Sequence, residues 1–445
     1  MFKRFLGTNF VRDVLKLVAS VGMGRLLLLA ALPLATQLYS PQEFELLAVF
    51  MALVTTISVI ACLRLDIAIP VAQSDDQAVH LLALALSCAT GVALLLLTAT
   101  SVAPTLWAGL IGAPEIGRYF WLVALGVFVA ATYSALQFWA VRARRFTEIA
   151  RTRASQAFVG TTCMLCLGWM GLSPLGLLFG TLLTVGGGGG YLLWQTLRRD
   201  QIALKSVTAR GMRATFASFK RYASLSAPEA LANIAGIQMP IVIIAASADG
   251  EAGQLFLAMQ IMSAPIVVVG FSISQVYASR LPEAQADGTL ASLTQQLLKG
   301  LAVMGVLPLC ALGFLAPFVM VAIFGPDWEL SGTIMALMVP WMVLQFLSSP
   351  ISFVMMSTDR QLSMFALTVF GGLLRIAAVA YAVQNGFDLI SIAYIASSAT
   401  FYLICLLTYA HASGTLRRPD FGLMLLAVLA LLAVYVTVLA SLVLQ

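Results

Sequence analysis

Charge is scarce in this sequence. Only 10% of its 445 residues are Asp, Glu, Lys or Arg, where a soluble domain carries about 25%, and the mean hydropathy is +0.97. A globular cytosolic enzyme is thereby excluded. Histidine is scarcer still. His80 and His411 stand far apart, near the ends of apolar runs, so no histidine cluster can hold a metal. No Gly-Lys-Ser phosphate loop is present, which excludes an ATPase. The six cysteines (Cys62, Cys88, Cys163, Cys166, Cys310, Cys405) lie inside apolar runs. Cys163-Met-Leu-Cys166 has no histidine beside it, so its thiols read as small packing groups. Asp75-Asp76 has the form of a metal-diphosphate pair, but it precedes an apolar run and reads better as solvated charge at a helix N-terminus. No metal, cofactor or enzymatic activity is expected.

What the chain does have is apolar length. A membrane span needs roughly 20 apolar residues. Thirteen runs qualify: 14–37, 43–63, 78–102, 118–140, 153–172, 175–195, 222–246, 252–276, 297–322, 330–356, 362–384, 388–410 and 420–443. The first is too long for a signal-peptide core and lacks a cleavage site, so it reads as a retained span. With the N-terminus in the cytoplasm, alternation places 22 of the 25 basic residues on the cytoplasmic side, as the positive-inside rule requires. Arg118 alone falls outside, among Glu43, Glu45, Glu115, Asp249, Glu251, Asp327, Glu329 and Asp388. The net charge of +6 thus belongs to loops at a membrane, and nucleic acid is excluded. The outer connections are too short for an extracytoplasmic catalytic domain.

One connection divides the chain. Leu197–Arg221 holds seven bases (Arg198, Arg199, Lys205, Arg210, Arg213, Lys220, Arg221) against the single acid Asp200. Residues 1–196 form a first six-helix lobe, 197–221 a basic cytoplasmic loop, 222–411 a second six-helix lobe, and 412–445 an added span ending outside. The fold class is all-α, two six-helix lobes around a central cavity, with twelve helices and a thirteenth at the end.

Two bases remain, and both sit within spans: Arg25 in the first and Arg375 in the eleventh. A charge at membrane depth costs about 2.5–3.5 kcal/mol on insertion scales and usually faces a cavity or partner. One arginine per lobe suits an anion held between them, since guanidinium forks match phosphate oxygens. An internal salt bridge is the competing reading. Glu229, the carboxylate inside the seventh span, serves either as a structural partner or as a site titrating with H⁺ or Na⁺. The Gly186–Gly190 run reads as close helix packing or as a bend that moves. Pro33, Pro240, Pro265, Pro308 and Pro340 within spans suit helices that bend.

Two stretches carry a resemblance. Leu38-Tyr-Ser-Pro-Gln-Glu-Phe44, then Leu63-Arg-Leu-Asp-Ile-Ala-Ile-Pro70 and Ser74-Asp-Asp-Gln-Ala78, form the first. Tyr222-Ala-Ser-Leu-Ser-Ala-Pro228, Asn233, Gln238-Met-Pro240, Gly253, Pro265 and Ser274-Gln-Val276 form the second. Together they resemble the polysaccharide-biosynthesis exporters, the Wzx-type oligosaccharide flippases of the MOP (MATE-like) superfamily. Glu45 stands where that family often has Gly, and Gln37 where it often has a base. The resemblance implies two lobes around a cationic cavity in the bacterial inner membrane, N-terminus cytoplasmic. Its implied substrate is an undecaprenyl-diphosphate-linked oligosaccharide, moved from the cytoplasmic to the periplasmic leaflet for O-antigen, capsule or exopolysaccharide. Arg25 and Arg375 would hold the diphosphate, Arg64 and Asp66 would stand at the cytoplasmic entrance, and Glu229 would couple an H⁺ or Na⁺ gradient to alternating access. A monomer associated with polymerase or glycosyltransferase machinery is expected. A drug or cation exporter would need an excess of cavity carboxylates, and a glycosyl polymerase or ligase a long outer loop. A lipid II flippase shares the substrate class.

Overall fold

In hydrocarbon every backbone amide must find its partner within the protein, so a chain this apolar folds as helices. The computed structural model describes residues 24–443, which contain no strand. Lys3, Arg4, Arg12, Lys16 and the opening of the first apolar run lie outside the described residues. Tertiary contacts divide the chain into two units, Met1–Ala246 and Ser247–Gln445.

The first unit contains α1 (Gly24–Leu38), α2 (Pro41–Ala61), α3 (Asp75–Val102), α4 (Pro104–Ile111), α5 (Phe120–Arg142) and α6 (Phe146–Trp169). It continues with α7 (Leu175–Gly186), α8 (Gly189–Arg199), α9 (Gln201–Lys205), α10 (Ala209–Arg221) and α11 (Ala227–Ala245). The second contains α12 (Glu251–Pro265), α13 (Phe271–Ala286), α14 (Leu290–Phe324), α15 (Glu329–Ser348), α16 (Val354–Ser357), α17 (Gln361–Gln384), α18 (Ser391–Ala412) and α19 (Pro419–Val443). Among the described residues, ten helical stretches are long and apolar enough to cross a membrane. They coincide with ten of the thirteen predicted runs. The other three are helical over their described residues: α1 is described from Gly24, α6 opens with Glu148, Arg151 and Arg153, and a π turn at Ile266–Gly270 interrupts α12–α13. The chain is a multi-pass, all-helical membrane protein.

Local sequence explains the breaks. Ser40 caps α2: its hydroxyl accepts from the Glu43 N–H while Glu43 accepts from the Ser40 N–H at 2.8 Å, a reciprocal capping box with Pro41 at the first helical position. Pro265 has no N–H to continue its helix, and the π turn Ile266–Gly270 re-registers the ladder immediately after it. A second π turn, Tyr222–Ser226, lies just before Pro228.

Lipid gives helices no hydrophobic reason to associate, so small residues and polar bonds hold them together. Gly186 shows this. A Cβ there would lie 2.4 Å from Val129 Cγ1, and one on Gly188 would lie 2.7 Å from Thr152 Cβ. These glycines pack α7 and α8 against α5 and α6, with a turn between α7 and α8 at Gly187–Gly188. Tyr39 is buried and donates to the Met164 carbonyl at 2.7 Å, tying α1 to α6. Gln238 of α11 donates to Thr55 of α2 at 2.9 Å, so the helix that opens the predicted second lobe packs within the first contact unit.

In the second unit, Gln254 of α12 binds Ser331 at the start of α15 by side chain and backbone and donates to the Asp327 carbonyl at 2.6 Å. Glu251, 4% exposed, accepts the Ile390 and Ser391 amides at the N-terminus of α18. The last helix is part of this unit: Tyr435 donates to the Ala336 carbonyl at 3.0 Å, and Lys299 pairs with Asp420 at 2.8 Å.

Candidate functional site

Charged groups of the first unit collect where its helices end. Ser40 lies at one end of α2, and the turn carrying Arg64 and Asp66 lies beyond the other, about 30 Å away at 1.5 Å per residue. That far end is built around arginines. Arg142 donates to the Ile69 and Ala72 carbonyls at 3.2 and 2.8 Å, and to Asp75 Oδ1 at 2.8 Å through Nη2. It thereby satisfies carbonyls at the close of the 3₁₀ turn Asp66–Val71. Arg145 forks onto Asp200 at 2.6 and 2.9 Å, and Trp139 Nε1 donates to the same carboxylate at 2.8 Å. Asp200 holds the Arg145 guanidinium above its ordinary value, chiefly through that hydrogen bond. Stability from this raised group would be lost only at pH values above the ordinary arginine range, so the guanidinium stays charged at any working pH. A cleft of about 250 Å³ opens between Asp75, Trp139, Arg142, Ala143 and Asp200.

The basic connection is anchored at the same end. His80 is 3% exposed. Its Nδ1 lies 2.7 Å from the Asp76 carbonyl, and its Nε2 accepts the Thr208 N–H at 3.3 Å. A carbonyl only accepts and an amide only donates, so the geometry selects the neutral Nδ1–H tautomer. Ser206 donates to Asp76 at 3.0 Å. A Cβ on Gly211 would lie 2.2 Å from His80 Nε2, which keeps α10 close. Asp75 and Asp76 thus serve arginine and loop contacts at the start of α3.

The predicted residues are placed as follows. Arg25 is half-buried on α1, beside Gly24, where a Cβ would lie 3.2 Å from Ala157 of α6. Arg64 is half-buried with a left-handed backbone (φ 57°), as is Leu63. Asp66 is 5% exposed and accepts from Ser134 at 2.6 Å; it shares a turn with Arg64, but its bond goes to α5. Glu229 is exposed in the first turn of α11 and is in no ion pair among the described residues.

Arg375 belongs to the second unit. It is 4% exposed on α17, and its Nε donates to Ser398 Oγ of α18 at 3.0 Å. The guanidinium carbon lies 4.3 Å from the centre of the Phe401 ring and 5.6 Å from that of Tyr402. No carboxylate pairs with it among the described residues. Its described neighbours are the Ser398 hydroxyl and the Phe401 and Tyr402 side chains, neutral groups that attract a cation without neutralising it.

Sequence reasoning missed Arg142, Arg145 and Asp200 as one cluster, and it placed Glu251 only among the acids on the outer side. Among the described residues, no three His, Cys, Asp or Glu side chains gather to hold a metal.

Solved structures share this fold. A lipid II flippase, MurJ, in an inward closed conformation superposes with a TM-score of 0.66 at 13% identity, covering 96% of this chain and 99% of that one. An inward-facing multidrug resistance MATE family transporter of the MOP superfamily gives 0.62 at 13% identity, covering 91% and 99%. A MOP superfamily transporter from Pyrococcus furiosus, described as having a binding pocket of reversed polarity, gives 0.55 at 14% identity, covering 91% and 96%. No curated protein matches in sequence. The profile of the polysaccharide biosynthesis protein family matches residues 34–333. The chain belongs to that family, on a MATE/MOP-like fold.

Proposed function

We propose that this protein flips an undecaprenyl-diphosphate-linked oligosaccharide from the cytoplasmic to the periplasmic leaflet of the bacterial inner membrane. The proposal rests above all on Arg375, a membrane-depth cation surrounded by neutral groups. An unpaired guanidinium is costly to keep in a low-dielectric interior, and an anionic cargo offsets that cost when it arrives. In this reading Arg375 and Arg25 contact the diphosphate. Phe401 covers the Arg375 guanidinium and swings aside to admit phosphate oxygens. Arg64 and Asp66 line the cytoplasmic entrance, with Asp66 steadied by Ser134. Glu229 binds and releases H⁺ or Na⁺ as the lobes alternate, and the protein performs no covalent chemistry. It works as a monomer, N-terminus inside, next to glycosyltransferase and polymerase partners.

The family assignment supports the saccharide, and the likeness to a lipid II flippase supports movement of a diphosphate lipid. A diphosphate cannot cross hydrocarbon unaided, so a protected cationic path is what the chemistry asks for. The test is accumulation. A strain lacking the protein should collect undecaprenyl-linked saccharide that a periplasmic modifying enzyme cannot reach in intact spheroplasts. Normal levels with normal access would refute the proposal.

A further inference from the structure

A second cleft opens in the first unit at the end of α2 opposite Arg64. It measures about 610 Å³, within the 300–1,000 Å³ typical of small-molecule sites. Ser40, Gln42, Glu43 and Leu46 of the α2 cap form one wall; Pro114, Glu115, Arg118, Tyr119 and Pro174 complete it. Glu43 is fixed by the Ser40 amide and the Ser173 hydroxyl. The side chains of Gln42, Glu115, Arg118 and Tyr119 make no hydrogen bond to another protein group among the described residues, so their donors and acceptors line the cleft uncommitted.

We infer that this cleft is a saccharide subsite, which receives sugar rings of the cargo at the outer end of the first lobe. The inference rests on the lipid-linked saccharide reading above. Its chemistry is specific. Carboxylates accept from sugar hydroxyls, the guanidinium and amide donate to them, and the Tyr119 ring offers a stacking face. Two carboxylates against one arginine disfavour the diphosphate itself, so head group and sugar are held by different residues. Arg118, the one basic residue that alternation leaves outside, gains a role it otherwise lacks. The capping box explains the site's rigidity: the bond that starts α2 also fixes the Glu43 wall.

The test uses the full-length protein in lipid nanodiscs, with saturation-transfer NMR as the readout. The probes are the methyl glycosides of glucose, galactose, mannose and N-acetylglucosamine, with tetraphenylphosphonium and inorganic pyrophosphate as charged comparisons. At least one glycoside should receive saturation. Its affinity should fall about tenfold in Glu115→Gln/Arg118→Gln, as expected when charge-assisted hydrogen bonds are lost, and again in Tyr119→Ala. Glu115 and Arg118 are exposed and Tyr119 is half-buried, so unchanged melting temperatures should show that the variants fold. Arg375→Ala should keep glycoside binding. No transfer to any glycoside, or transfer equal in the variants, would overturn the subsite, and so would Glu115-dependent binding of the phosphonium alone. The spheroplast assay on the same protein separates the two ideas. Intact flipping without glycoside binding removes only the subsite, whereas lost flipping with binding retained removes the flippase reading.

Discussion

Arg145 and Arg375 are both largely buried guanidiniums, yet their surroundings are opposite. Arg145, in the first unit, has a forked carboxylate partner, Asp200, which also accepts from Trp139. Arg375, in the second, has a serine hydroxyl and two aromatic rings. A paired charge is spent on structure. A charge left with neutral neighbours keeps its field for something that arrives later, and the contrast separates a fastening from a candidate cargo contact.

The sharpest way to break the comparison is to remove or satisfy the Arg375 charge. Arg375→Met should cut flipping about ten- to hundredfold, the weight of one or two charge-assisted contacts, while the melting temperature holds or rises because no buried pair is broken. Ser398→Asp supplies the missing carboxylate and should silence transport in the same way. Transport by Arg375→Met near the wild-type rate would make Arg375 a packing residue. The reverse outcome is expected at the other site. Asp200→Ala strands Arg145 and Trp139 together and should cost about 3 kcal/mol of stability, with transport per folded molecule unchanged. Thermal melting of the purified protein measures it.

Much of this was legible in the sequence. Arg375 stood out because a charge inside an apolar run is costly wherever the helix turns. Asp75-Asp76 was readable as charge at a helix N-terminus, and α3 begins there. What stayed hidden depends on contacts between distant positions. Asp200 lies 55 residues from Arg145, and Glu251 caps a helix 140 residues away at Ser391; neither spacing leaves a periodic trace. The neutral shell of Arg375 was hidden for the same reason, since Ser398, Phe401 and Tyr402 look like ordinary residues of α18.

Smaller effects refine the fastening side of the comparison. Gly186→Leu forces a side chain into Val129 and should destabilise by about 1–3 kcal/mol. A Cβ on Gly190 meets nothing within 4 Å, so Gly190→Ala should stabilise by up to about 1 kcal/mol. Equal losses at both would argue that the glycine run is there to bend. His80→Ala removes the acceptor for the Thr208 amide and should loosen the basic connection. Limited trypsin cleavage at Arg210 and Arg213 would then be faster, with little change in melting temperature.

The central claim is that a lipid-linked saccharide crosses the membrane through this protein, and its most direct measurement is access. Spheroplasts lacking the protein, complemented with either wild-type or Arg375→Met, would be exposed to a periplasmic glycan-modifying enzyme. The account predicts that wild-type restores modification while the variant, present at equal levels, leaves the undecaprenyl-linked saccharide protected. Equal modification in the empty, wild-type and variant spheroplasts would contradict it.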